Sequence, residues 1–320
     1  MSARPIQSSI LVGVLAAVVA PAFAGAAPPR PEDPAQDCEP GWSPAIATGE
    51  QSLNYQVEAL QVFEGALYAG GYFSSAGGVA ATGIARLVNG AWEALPGAPT
   101  EATVFCMEVF DDGSGPALYI GGEFVTAGEG LHVDLLRWDG EEWSTPNPAS
   151  SGGVRAMEVF DDGSGSQLYL AGGLRLEPEG PPYNLVRWDG QTFTPISGIV
   201  GTTAKGMLAA EENGVPVLYV CGQFNSVDGI ESQNLAKWDG EAWAAFEPSL
   251  GPGVAESMAF FDDGDGPTLF VGGLFTTNGR RMLAKWDGAS WTYHCGTLAF
   301  EGGAESLVVF DDGSGAALWV

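Results

Sequence analysis

Basic side chains are scarce in this chain: 12 Lys and Arg stand against 40 Asp and Glu among 320 residues, a formal charge of −28. A surface with that balance repels phosphate backbones and anionic lipid, which excludes nucleic-acid binding and attachment to acidic membranes. Histidine is rarer still, with two residues, and the four cysteines show no metal-ligand spacing. Charged residues of both signs make up only 16% of the chain and apolar ones 45%, enough for a sizeable core and too much for wholesale disorder. No phosphate-binding glycine loop opens a helix, because the GG pairs close strands instead. What is abundant is 47 Gly, 21 Pro and 10 Trp, a composition of turns and strands that argues against a helical protein.

The first residues read as an address. Arg4 precedes an apolar run from Ile10 to Ala20, and Pro21 and the small-residue triplet Ala22-Phe23-Ala24 follow it. Residues 1–24 are therefore expected to be a secretory signal peptide, removed on export to a secreted, extracellular or periplasmic location without membrane insertion afterwards. Residues 25–37 form a Pro/Ala-rich linker, and residues 38–320 the folded domain.

An internal repeat decides the fold class. VFDDGSGPALYIGGEF begins at Val109 and VFDDGSGSQLYLAGGL at Val159, with further copies from Val62, Ala209, Phe260 and Val309. The Leu before the aromatic falls at Leu67, Leu118, Leu168, Leu218, Leu269 and Leu318, a period near fifty. A second block follows each of the first five copies: IARLVNGAW, LLRWDGEEW, LVRWDGQTF, LAKWDGEAW and LAKWDGASW. One repeat holds four short strands, typified by Val154–Phe160, Gln167–Gly172, Asn184–Trp188 and Thr192–Ile196, with Asp189-Gly190 and Asn89-Gly90 as tight hairpin turns. The pattern predicts an all-β protein, a β-propeller of four-stranded antiparallel blades with five complete repeats and the start of a sixth. The sixth copy stops inside its second strand at Val320, and Trp42-Ser43-Pro44 resembles the fourth-strand segment Trp143-Ser144-Thr145-Pro146, so a C-terminally truncated propeller is expected.

The recurring residues read as scaffold. Gly71, Gly122, Gly172, Gly222 and Gly273 end the second strands where a side chain is not expected to fit. Arg86, Arg137, Arg187, Lys237 and Lys285 recur in the third strand and are expected to form structural ion pairs. Cys106 and Cys221 occupy small-residue positions inside strands, whereas Cys38 and Cys295 lie outside them and are the disulfide candidates.

The blocks VFDDGSGPALYIGGEF and LLRWDGEEW resemble the kelch-like propeller repeats of secreted bacterial proteins and are similar to repeats of fungal cortical-marker proteins at the cell surface. The resemblance runs from Val57 to the end and implies an extracellular propeller. It carries no catalytic residues with it.

In a propeller, one face holds the first-to-second and third-to-fourth strand turns, here an acidic rim. Asp262, Asp263 and Asp265 on it superficially resemble a Ca²⁺ loop, although Asp and Gly also serve as plain turn residues. No other cofactor is encoded by a motif. The opposite face varies from copy to copy, and its candidate binding residues are His132, Asp134, Arg175, Tyr183, Asp228, Arg280, Arg281, Tyr293 and His294. Three functions fit: a secreted non-enzymatic module binding a protein or glycan through the variable loops, a secreted propeller enzyme such as a metal-dependent oxidase, and a Ca²⁺-stabilised adhesion module. The first accounts for most of the chain, since no nucleophile, base or paired carboxylates separate from turn chemistry.

Overall fold

The computed structural model describes residues 3–5, 52–125, 132–146, 153–176, 182–196, 198–264, 266–277, 280–294, 304–311 and 315–320. Among them there is no helix, and the strands form five four-stranded antiparallel blades arranged as a propeller. The blades are β1 (Gln56–Phe63) to β4, β5 to β8, β9 to β12, β13 to β16 and β17 to β20. In each, the second strand pairs with the first and third, and the fourth lies outermost. The first strands are β1, β5 (Glu101–Asp111), β9 (Val154–Asp161), β13 (Ile199–Glu212) and β17 (Ala255–Asp262). The second strands are β2 (Ala66–Tyr72), β6 (Pro116–Val125), β10 (Ser166–Leu174), β14 (Val215–Val227) and β18 (Pro267–Thr277). The third are β3 (Ile84–Val88), β7 (His132–Trp138), β11 (Tyr183–Trp188), β15 (Leu235–Trp238) and β19 (Arg280–Trp286). The outer strands are β4 (Ala91–Ala94), β8 (Trp143–Ser144), β12 (Phe193–Ile196), β16 (Trp243–Ala245) and β20 (Trp291–His294). A sixth, two-stranded unit of β21 (Val308–Asp311) and β22 (Ala316–Trp319) follows. Ala3–Pro5 pairs with the end of β13.

Both faces of each sheet are apolar because blades stack on one another. Tyr119, Leu135, Leu168 and Leu170 share a cluster across the second and third blades, and Tyr169, Leu185, Leu218 and Val220 do so across the third and fourth. Ring pairs lock the outer hairpins: Trp138–Trp143 at 4.9 Å, Trp188–Phe193 at 4.1 Å, Trp238–Trp243 at 5.1 Å and Trp286–Trp291 at 4.8 Å. The indole N–H of Trp138 donates to the Tyr68 hydroxyl of the preceding blade at 3.3 Å.

The expected ion pairs form in all five blades. Arg137, Arg187, Lys237 and Lys285 reach Asp112, Asp162, Glu212 and Asp263, the second acid of each first turn. The shortened first turn of the first blade lacks that acid, so Arg86 turns to Glu93 on β4 at 3.3 Å. The third-to-fourth strand turns differ from the expectation in detail. Asn89-Gly90 makes a two-residue hairpin with both residues at positive φ, but Trp188 pairs with Phe193, so the Asp189-Gly190 turn spans four residues. The Asp189 carboxylate accepts from the N–H groups of Gln191 and Thr192, at 2.8 and 2.7 Å, and so holds the wider loop.

Candidate functional site at the centre of the propeller

The innermost strand of every blade is bulged at the same place. The register shifts between Val57 and Ala59, Val104 and Cys106, Val154 and Ala156, Ala204 and Gly206, and Ala255 and Ser257. The glycine ending the second strand explains the repetition. A Cβ on Gly71, Gly122, Gly172, Gly222 or Gly273 would lie 2.0–2.3 Å from a carbonyl oxygen in the first strand or immediately before it, so only glycine allows the backbones to close around the extra residue.

The extra residues are Glu58, Phe105, Arg155, Lys205 and Glu256, and a bulge aims its residue out of the ladder. They converge at the axis. The Arg155 guanidinium lies 3.7 Å from the Phe105 ring centre, and Lys205 forms bonds of 2.7 and 2.8 Å to the two oxygens of Glu256. Arg155 also meets Glu123 of β6 at 3.5 Å. Glu58 of the first blade feels Glu305 of the sixth repeat, Arg155 of the third blade and Glu256 of the fifth. Its carboxyl is held above the ordinary range by partial burial and by Glu305, against the opposing pull of Arg155 and a hydrogen bond with Gln56. Four carboxylates and two cations thus crowd one mouth, beside the exposed Tyr55 and Tyr72.

Deeper along the same strands, Glu108 and Glu158 occupy one repeat position with the buried Gln61. Glu158 accepts from the backbone N–H of Ala209 in the next blade at 3.1 Å, and Glu108 from that of Val109 at 3.1 Å. These carboxyl groups satisfy backbone N–H groups on the first strands of the second and fourth blades. Burial pushes Glu108 up to about 7, and burial together with the charge of Glu108 pushes Glu158 up to about 8.

The residues singled out from the sequence scatter around this centre. Asp134 is buried at a bulge of β7, and Asp228 sits at a turn with φ of 47°. Tyr183 begins β11 opposite Leu174 and is partly buried. Arg175, just beyond β10, is half-buried and already engaged. Tyr293 donates its hydroxyl to the Leu250 carbonyl at 2.9 Å and packs in the core between blades, a structural position. His294 is exposed on the outermost strand of the fifth blade beside Phe270. His132 opens the third strand of the second blade opposite Val125, and Arg280 and Arg281 begin β19. The two histidines therefore belong to a third and a fourth strand of blades separated by two others. The side chains of His132, Arg280 and Arg281, all of Asp265, and both Cys38 and Cys295 lie outside the described residues.

The acidic rim is occupied with its own turns. Asp262 accepts from the N–H groups of Gly264 and Gly266, both at 2.9 Å, and Asp263 is paired with Lys285. Asp111 and Asp161 repeat the first arrangement. Asp139, Asp189, Asp239 and Asp287 each accept two backbone N–H bonds, which hold their carboxyls below the usual range. Among the described residues no three His, Cys, Asp or Glu side chains gather as a metal site. Burial pushes the thiols of Cys106 and Cys221 well above the ordinary range.

The bulged residues are not among those singled out from the sequence, although the small residue after each of them, from Ala59 to Ser257, recurs visibly. A signal does exist: inside a repeat whose neighbours recur, this position reads Glu, Phe, Arg, Lys and Glu.

No family model and no curated protein matches the chain. Among solved structures it is similar to the extracellular domain of the putative one component system BT4673 from B. thetaiotaomicron. The identity is 10% and the TM-score 0.26, over 82% of this chain and 39% of that one. The extracellular domain of the putative hybrid two component system BT4673 from the same organism matches at 10% identity and TM-score 0.26, over 83% and 39%. The chain spans about two fifths of the length of these structures. No helix among the described residues is long and apolar enough to cross a membrane.

Proposed function

We propose that this chain is an exported, non-catalytic propeller that binds its ligand at the central mouth where the bulged residues emerge. The observation that carries the reading is the contrast between a fixed frame and a changing residue. The bulge and its glycine recur in all five blades, whereas the side chain delivered to the axis differs in charge, size and aromaticity. Backbone geometry demands nothing of that side chain, so its variety serves recognition. The repeat's resemblance to secreted bacterial propellers and the leader-like residues 1–24 support export.

The test is a binding screen of the full chain against immobilised oligosaccharides and peptides, repeated with the Arg155→Ala/Lys205→Ala variant. A ligand held by the parent, recovered chemically unchanged, and bound at least tenfold more weakly by the variant is the expected result. Turnover of the ligand sinks the reading. So does a ligand lost only when Asp139, Asp189 and Asp239 on the opposite face are changed to Asn.

A further inference from the structure

Two tyrosines stand at this mouth with their rings in solvent. Tyr72 follows Gly71 at the end of β2, directly opposite Gln56, and is 59% exposed; Tyr55, just before β1, is 66% exposed. Their ring centres are 5.5 Å apart with planes at 69°, so they form a corner of one ring face and one ring edge. Gln56 links this corner to Glu58 through a side-chain hydrogen bond, and Glu58 leads on to Arg155. The position of Tyr72 is exposed in other blades as well, where it is Glu123, Gln223 and Leu274, so the aromatic corner belongs to the first blade's share of the rim.

We infer that the corner of Tyr55 and Tyr72, flanked by Gln56, Glu58 and Arg155, is a subsite for a neutral pyranose unit of a glycan. The inference rests on the central mouth being the binding face. A pyranose presents a patch of C–H groups that stacks on an aromatic face, and a rim of hydroxyls that both donate and accept. The flanking side chains match that rim: a carboxylate accepts, a guanidinium donates and an amide does both. An anionic sugar meets a mouth with more carboxylates than cations, whose two cations are already paired with Glu123 and Glu256. A protein partner is disfavoured because interface centres are depleted of charge, whereas this corner is ringed by it.

The experiment is affinity electrophoresis of the full chain in native gels containing laminarin, galactomannan, xyloglucan, chitosan or polygalacturonate. At least one of the three neutral polysaccharides is expected to retard migration, equally at about 50 and about 500 mM NaCl, since stacking is not screened by salt. Tyr55→Ala and Tyr72→Ala each weaken retardation at least tenfold with an unchanged circular dichroism spectrum, while Tyr72→Trp retains it. Retardation by no neutral polysaccharide, or only by a charged one, overturns the inference. Tyrosine variants that migrate like the parent overturn it too. A peptide ligand lost in Arg155→Ala/Lys205→Ala but kept in Tyr55→Ala and Tyr72→Ala would sink the glycan and leave the mouth standing.

Discussion

Gly122 has a carbonyl oxygen of the neighbouring strand where its side chain would begin, 2.0 Å from an ideal Cβ. Backbone cannot yield as a flexible side chain does, so Gly122→Ala is expected to destabilise the fold by about 2–4 kcal/mol, read from the urea midpoint. That cost was legible in the sequence, because a glycine recurring once per repeat among branched residues implies a position that admits no Cβ. The buried acids were not. Glu158 resembles any other polar residue in the string, and only packing shows that it faces Glu108 and caps Ala209 of the next blade. Its folded carboxyl titrates at about 8, above the ordinary value of 4.5, so the folded state favours the protonated form. Stability therefore falls as pH rises from 4.5 towards 8, by an amount on the order of a few kcal/mol. Glu158→Gln, which keeps an acceptor for Ala209, is expected to unfold at higher urea than the parent at pH 8 and to show a flatter pH profile. A parent whose urea midpoint is constant over that range contradicts the assignment.

At the scale of the blade, the repeating element is a cross-strand cluster of turn acid, third-strand base and second-strand tyrosine. Arg187 meets Asp162 at 3.0 Å and the Tyr169 hydroxyl donates to the same carboxylate at 3.3 Å. In the preceding blade Arg137, Asp112 and Tyr119 repeat it. Burial would raise the Asp162 carboxyl, but Ser164, Arg187 and Tyr169 together hold it below the usual range. Arg187→Met leaves that buried carboxylate without its cation and is expected to cost about 1–2 kcal/mol at about pH 7. A lowered carboxyl contributes stability above its unfolded pKa and loses it as pH falls through the folded value. The difference between Arg187→Met and the parent should therefore close as pH falls through the lowered carboxyl of Asp162, followed by thermal denaturation. A gap that persists in acid would assign the loss to packing of the Arg187 stem instead. The base and the acid were readable as repeats, but their pairing across about twenty-five residues follows from the hairpin register.

At the scale of the molecule, neighbouring first strands pack in sequence, yet Glu58 draws together the first, third and fifth blades and the sixth repeat. Its carboxylate is disfavoured by burial and by Glu305 and Glu256 more than it is helped by Arg155 and Gln56. Glu58→Gln is expected to raise the melting temperature slightly at about pH 7, by a margin that shrinks as salt screens the acids. A lower melting temperature at every ionic strength would mean that Glu58 is held by contacts other than these. The same convergence underlies the proposed binding face, since it gathers side chains separated by about fifty residues each.

The scarcity of basic residues and the wealth of glycine and tryptophan already determined much of this chain. They encode a strand-rich repeat, its blade-building turns, its ion pairs and the glycines that permit close backbone approach, because those features are local and recur. What the tertiary structure alone decided is which residues meet. The bulge position carries Glu58, Phe105, Arg155, Lys205 and Glu256, so no single residue type marks it. Only the bulge, repeated around an axis, turns these five side chains towards one another.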